Sequence, residues 1–73
     1  MTSETLDCQG MSCPMPIVEI TKKVKSMESG QTLEVLATDL AFKLDVEAWS
    51  RRTGNELMSF DDGEIKKAII QIT

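Results

Sequence analysis

Polar and apolar positions change period several times along this chain, and each change marks an element. Thr5-Leu6-Asp7-Cys8 alternates over four positions and predicts a short strand, ended by Gln9-Gly10. From Pro14 onward Ile17, Ile20, Val24 and Met27 recur at spacings of three and four, which predicts an amphipathic helix. The pattern carries it to Ser29-Gly30, where glycine suits a left-handed helix end. Lys22, Lys23 and Lys25 crowd its later turns, where cations complement the helix dipole. Thr32 to Thr38 alternates again, with Leu33, Val35 and Ala37 on one face. Leu36 on the other face predicts that this side is not fully wet.

Asp39 reads as the turn that follows, and Asp45 as the N-cap of a second helix running through Arg52, since its carboxylate can accept an orphan backbone N–H. Val46 and Trp49, three apart, would face the core, and Gly54 would close the helix. Glu56 to Phe60 and Ile65 to Ile72 then predict two strands around Asp61-Asp62-Gly63-Glu64, an Asp-Gly hairpin signal. Ala68, Ile70 and Ile72 share one face of the last strand. The order is β-α-β-α-β-β. It implies an α+β two-layer sandwich, a four-stranded mixed sheet with both helices on one face.

Composition narrows the chemistry. With 73 residues the expectation is one domain over residues 1–73, burying only about 60 % of its unfolded surface and offering no deep cofactor pocket. Two cysteines, Cys8 and Cys13, and no histidine cannot furnish a usual structural zinc set, so no metal and no cofactor are expected. Lacking histidine, the chain also lacks the usual general base and any Cys–His pair. A net charge of −4 argues against direct nucleic-acid binding. Met1-Thr2-Ser3-Glu4-Thr5 has neither the basic nor the apolar part of a signal peptide. Nothing approaches the run of about twenty apolar residues that spans a bilayer. The expectation is therefore a cytoplasmic protein, in which cysteines stay reduced.

The candidate chemistry lies in Gly10-Met11-Ser12-Cys13-Pro14-Met15-Pro16. A residue before proline is pushed out of helical geometry, which makes Cys13 the expected N-cap, Pro14 the first helical position and Pro16 the third. The prolines leave Met15 and Ile17 to present backbone N–H groups, with Met15 placed to donate to the sulfur. A thiolate at the positive end of a helix titrates below the free value of about 8.5 and needs no histidine. The alternative is a cysteine that merely fills space. The Cys-x-x-Cys spacing of a redox pair is absent.

Leu6-Asp7-x-x-Gly10-Met11-x-Cys13-Pro14-x-Pro16 resembles the signature of the TusA/SirA-like sulfur carrier proteins. Gly30-x-x-Leu33-x-Val35, Asp39, Asp45 and Gly54 extend the likeness over almost the whole length. The resemblance implies a βαβαββ sandwich. It also implies a sulfurtransferase-type role for Cys13, which would accept sulfane sulfur as a persulfide from a cysteine desulfurase or rhodanese-like donor. An acceptor protein would then receive it, in tRNA thiolation, cofactor or sulfur metabolism. Leu40 stands where many relatives have proline, Met11 where leucine is more usual, and Cys8 where a small residue is common.

The remaining candidates read two ways. Cys8 is either a buried strand residue or a second, resolving thiol. Met11 is either a core plug beneath the loop or, with Met15, part of a docking rim for partner proteins, Met15 being the better rim candidate. Lys22, Lys23, Lys25, Arg51 and Arg52 either steer an acidic partner or form a solvated face. Two rival functions stay open: a non-catalytic adaptor that binds partners through the first helix, and a Cys8/Cys13 thiol–disulfide protein.

Overall fold

The computed structural model describes residues 3–73. Met1 and Thr2, part of the expected 1–73 domain and of the start compared with a signal peptide, lie outside the described residues. The elements follow the expected order: β1 (Ser3–Cys8), α1 (Met15–Val24), β2 (Thr32–Ala37), α2 (Phe42–Thr53), β3 (Glu56–Asp62) and β4 (Lys66–Gln71). They form a four-stranded sheet in the order β1-β2-β4-β3. β1 and β2 are parallel, and the other two pairings are antiparallel.

Alternation decides which face is covered. Leu33, Val35 and Ala37 of β2 register with Ile70, Ala68 and Lys66 of β4, and with Glu4, Leu6 and Cys8 of β1. From the helices Ile20, Phe42, Val46 and Trp49 complete the buried core. Leu36, on the opposite face, is half-buried. In β3 the register shifts between Leu57 and Ser59, leaving Met58 as an extra residue. That bulge lets Leu57 and Phe60, three apart, both pack against the core, where strict alternation would send one outward.

Several boundaries differ from the sequence expectation: β1 starts at Ser3, β3 runs to Asp62 and β4 ends at Gln71, and three further differences have a clear physical reason. α1 stops at Val24, with Lys25 as its cap, instead of running to Ser29-Gly30. The chain there tightens into three-residue turns: Ser26 N–H donates to Lys23 O and Met27 N–H to Val24 O, both at 3.0 Å. Ser26 Oγ also donates to Lys23 O, at 2.8 Å. Met27 still packs against the core, which is why the helical spacing continued past the helix.

α2 begins one turn earlier than expected. Ala41 is its cap, so Asp45 lies inside the first turn and caps nothing. Phe42, Val46 and Trp49 form one buried stripe at helical spacing, and burying a Phe side chain is worth about 1.5–3 kcal/mol. That burial outweighs the local capping preference of an aspartate. At the other end Gly54 takes φ 81° and donates its N–H to Ser50 O, as a left-handed helix end does.

β4, finally, starts at Lys66 and not at Ile65, which is left half exposed at the hairpin. Lys66 points to the covered face, where Nζ meets Asp62 Oδ1 at 3.4 Å and donates to Gly63 O at 3.2 Å. No helix among the described residues is long and apolar enough to cross a membrane.

Candidate functional site

Because β1 and β2 are parallel, both strands end at the same edge of the sheet, and both helices start there. Two loops therefore meet: residues 9–14 after β1, and residues 38–41 after β2. Asp7 Oδ1 accepts the Gln9 N–H at 3.0 Å and ends the strand. Gly10 then turns with φ 82°, a conformation L side chains rarely adopt. Its N–H donates to Thr38 Oγ1 at 3.0 Å, tying the first loop to the second. Met11 N–H returns to Cys8 O at 3.2 Å, and the Met11 side chain packs half-buried against the core. Met11 thus anchors the loop from beneath.

Cys13 is exposed at the top of this loop, joined to Pro14 by a cis peptide bond. Pro14, and not Cys13, is the helix cap, with Met15 and Pro16 as the first two helical residues. Met15 N–H donates to Ser12 O at 2.8 Å and not to the sulfur. The expected sulfur cap is therefore displaced by a backbone turn, in which Ser12 C=O takes the Met15 N–H. Pro16 is buried in the first turn, where its missing N–H breaks no helical bond.

Across from Cys13 stands α2. Its residues Asp45, Ala48 and Arg52, at spacings of three and four, line an open cleft of about 180 Å³ with Cys13, Pro14 and Ile17. The electrostatics reverse the second expectation. Hydrogen bonding to the Asp45 carboxylate is the largest cause that pushes the Cys13 thiol up, and desolvation and the charges of Asp45 and Asp39 act in the same direction. The carboxylates of Asp45 and Asp39 thus oppose the depressed thiol expected at a helix start. Asp39 Oδ2 is itself buried, with no hydrogen-bond partner among the described residues.

The other cysteine is a different case. Cys8 is fully buried in the core, and burial, followed by the charges of Glu19 and Asp7, pushes its thiol up. Both thiols are free. Of the two methionines considered for a rim, Met15 is 44 % exposed in the first turn of α1. Sequence reasoning missed Leu40 and Leu44, which are 87 % and 71 % exposed at the start of α2. Leu44 carried a signal, since it is apolar but lies off the Phe42-Val46-Trp49 stripe. Among the cations, Lys22 pairs with Glu19 at 3.7 Å and Lys23 with Glu4 at 2.8 Å, whereas Arg52 faces the cleft. Trp49 is core, as expected, and its Nε1 donates to Thr21 Oγ1 at 3.3 Å.

The whole chain, and not only the Cys13 loop, has known counterparts. The family described as "Sulfurtransferase TusA" matches residues 4–72. A putative sulfur carrier protein, YrkI, of Bacillus subtilis (strain 168) is 46 % identical over 71 residues, covering 96 % of this chain and 95 % of that protein. The sulfur carrier protein TusA of Allochromatium vinosum is 46 % identical over 55 residues, covering 75 % of this chain and 72 % of its own length. In fold, the crystal structure of a SirA-like protein from Desulfitobacterium hafniense matches with a TM-score of 0.79 at 20 % identity, over 93 % of this chain and 95 % of the other. The four-stranded mixed sheet with two helices on one face is thus a shared architecture, and the chain belongs to the TusA family of sulfur carriers.

Proposed function

We propose that Cys13 carries sulfane sulfur as a persulfide in a relay between two proteins. The observation that supports this reading is the contrast in access: Cys13 stands exposed at the mouth of a cleft, and Cys8 is sealed in the core. In the loading step Cys13 Sγ bonds to the outer sulfur of a donor persulfide. The donor's own S–S bond breaks, and the donor leaves as a thiolate. Unloading repeats the exchange, with an acceptor protein as the attacking partner. A cysteine desulfurase or rhodanese-like protein is the donor class that fits. tRNA thiolation, cofactor or sulfur metabolism is the range of destinations, in the cytoplasm. Gly10, Pro14 and Pro16 position the sulfur-bearing loop, and Met15, with Leu40 and Leu44, offers the apolar surface on which partners would dock.

The test is intact and peptide mass spectrometry after incubation with a desulfurase and cysteine, or with polysulfide. The expected result is a gain of one sulfur on the Cys13 peptide, absent in Cys13→Ser. No gain on Cys13 with any donor sinks the proposal. A thiol–disulfide role with Cys8 is disfavoured by that residue's complete burial.

A further inference from the structure

Two opposite charges line the small cleft that holds Cys13. One wall is α2, which contributes Asp45, Ala48 and Arg52 from a single helix face. The other carries Pro14 and Ile17, which are apolar. Asp45 and Arg52 lie seven positions apart in the chain, and seven residues span about 10.5 Å along a helix axis. Neither takes part in an ion pair among the described residues, with each other or with any other side chain. Lys22, Lys23, Lys66 and Lys67, by contrast, each have a carboxylate partner. The carboxylate and the guanidinium of the cleft are thus left to a ligand, beside a free and exposed thiol.

Size and charge together limit what fits. The cleft holds about 180 Å³, below the roughly 300–1,000 Å³ of pockets for drug-sized ligands, so an amino acid fits and a large cofactor does not. A simple anion, such as an inorganic polysulfide, would meet Arg52 but be opposed by Asp45, and by Asp39, whose charge also reaches the sulfur. A simple cation would meet the reverse. A zwitterion satisfies both groups at once. Its carboxylate suits the planar donor fork of Arg52, and its ammonium suits the carboxylate of Asp45. Pro14, Ile17 and Ala48 then offer apolar contact to a methylene and to sulfur atoms.

We propose that this cleft binds a free, zwitterionic amino-acid persulfide, of which cysteine persulfide is the simplest, and that Cys13 takes its outer sulfur directly. Arg52 and Asp45 select the ligand by its carboxylate and its ammonium. In the transfer Cys13 Sγ, as thiolate, bonds to the outer sulfur, and the S–S bond of the ligand breaks. The electron pair of that bond leaves with cysteine, whose thiolate takes up a proton to replace the one Cys13 released. No oxidant or reductant is consumed. Such a route would load the carrier without a donor protein. It presupposes Cys13 as the sulfur-accepting atom, as proposed above, but the ligand class is measurable without any transfer.

The experiment reads binding first, in the full chain carrying Cys13→Ser, where no transfer occurs. The probe is S-methylthiocysteine, a persulfide mimic whose outer sulfur is capped, titrated by two-dimensional amide NMR. Saturable shifts are expected at Ile17, Ala48 and Arg52. Masking the ammonium as the N-acetyl derivative, or the carboxylate as the amide, is expected to weaken binding by roughly threefold to fivefold each, the upper range for an exposed ion pair. Added salt should narrow both differences. Arg52→Gln should abolish the preference for the free carboxylate and keep that for the ammonium, and Asp45→Asn should do the opposite. Circular dichroism and a urea midpoint show whether each variant is folded, with Arg52→Met and Asp45→Ser as replacements. In the parent, mass spectrometry should show Cys13 gaining one sulfur from cysteine persulfide at a rate that saturates. No saturable shift, equal binding of the three probes, or preferences that survive both charge variants would overturn the proposal and leave a relay from a protein donor intact. Selective binding with no sulfur gain on Cys13 from any donor counts against the relay and leaves the ligand class of the cleft standing.

Discussion

The neighbourhoods of Cys8 and Cys13 lie only five positions apart in the chain and differ in almost every physical respect. Cys8 ends β1 on the covered face of the sheet, registered with Ala37, and is sealed. Cys13 crowns a loop, open to solvent, with an aspartate across a cleft. Both thiols are pushed up, yet the causes are not alike. For Cys8 the main cause is burial, which only unfolding removes. For Cys13 it is a carboxylate on a neighbouring helix, which a partner or a single substitution can remove. A thiol held down by packing is inert, and one held down by a charge can be released.

The largest expected effect that sharpens this comparison is in native labelling. Iodoacetamide should modify Cys13 directly, while Cys8 reacts only through opening of the core. Rates should differ by roughly a thousandfold or more, the scale of folding equilibria. Comparable labelling of both cysteines in the native protein would erase the distinction. A smaller effect is expected from Cys8→Ser, which buries an unpartnered hydroxyl and should cost about 1–3 kcal/mol in urea unfolding. Sulfur loading per folded molecule should be unchanged in that variant. Loading lost in folded Cys8→Ser or Cys8→Ala would make this a two-thiol protein.

The smallest effect lies in alkaline pH. A thiol whose folded value is raised above its ordinary one keeps its proton longer in the folded state than in the unfolded one. The Cys8 contribution is therefore fully present below that value and is lost as pH rises through the folded one. The urea midpoint should fall between neutral pH and pH above 9.0, and Cys8→Ala should flatten that fall relative to the parent. An equally steep fall in Cys8→Ala would assign the effect to other groups.

Element type was legible wherever one face is buried, because burial imposes a period on the sequence. Leu33-Val35-Ala37 and Ala68-Ile70-Ile72 show this, and both sets are core. The same signal exceeded the helix at Met27, since a residue can fall on the apolar side of a turn as readily as of a helix. At α2 a polar signal, Asp45, outweighed an apolar one, Phe42, although the stripe Phe42-Val46-Trp49 was present in the sequence. At the site, the residue with the chemistry was legible in the Gly10 to Pro16 stretch. The direction of its thiol shift was not. That depends on Asp39 and Asp45, respectively 26 and 32 positions away in the chain, and on a backbone turn that takes the Met15 N–H.

By itself, then, the sequence determined the order of elements, the face each strand buries and the thiol to watch, because these rest on local spacing and residue type. Only the tertiary structure decided that Cys13 shares a cleft with Asp45, that Cys8 is sealed and that Leu40 and Leu44 stand exposed. The reason is that a parallel pairing of β1 with β2 brings two distant loops to one edge. Electrostatics acts through space, where those loops meet, and not along the chain.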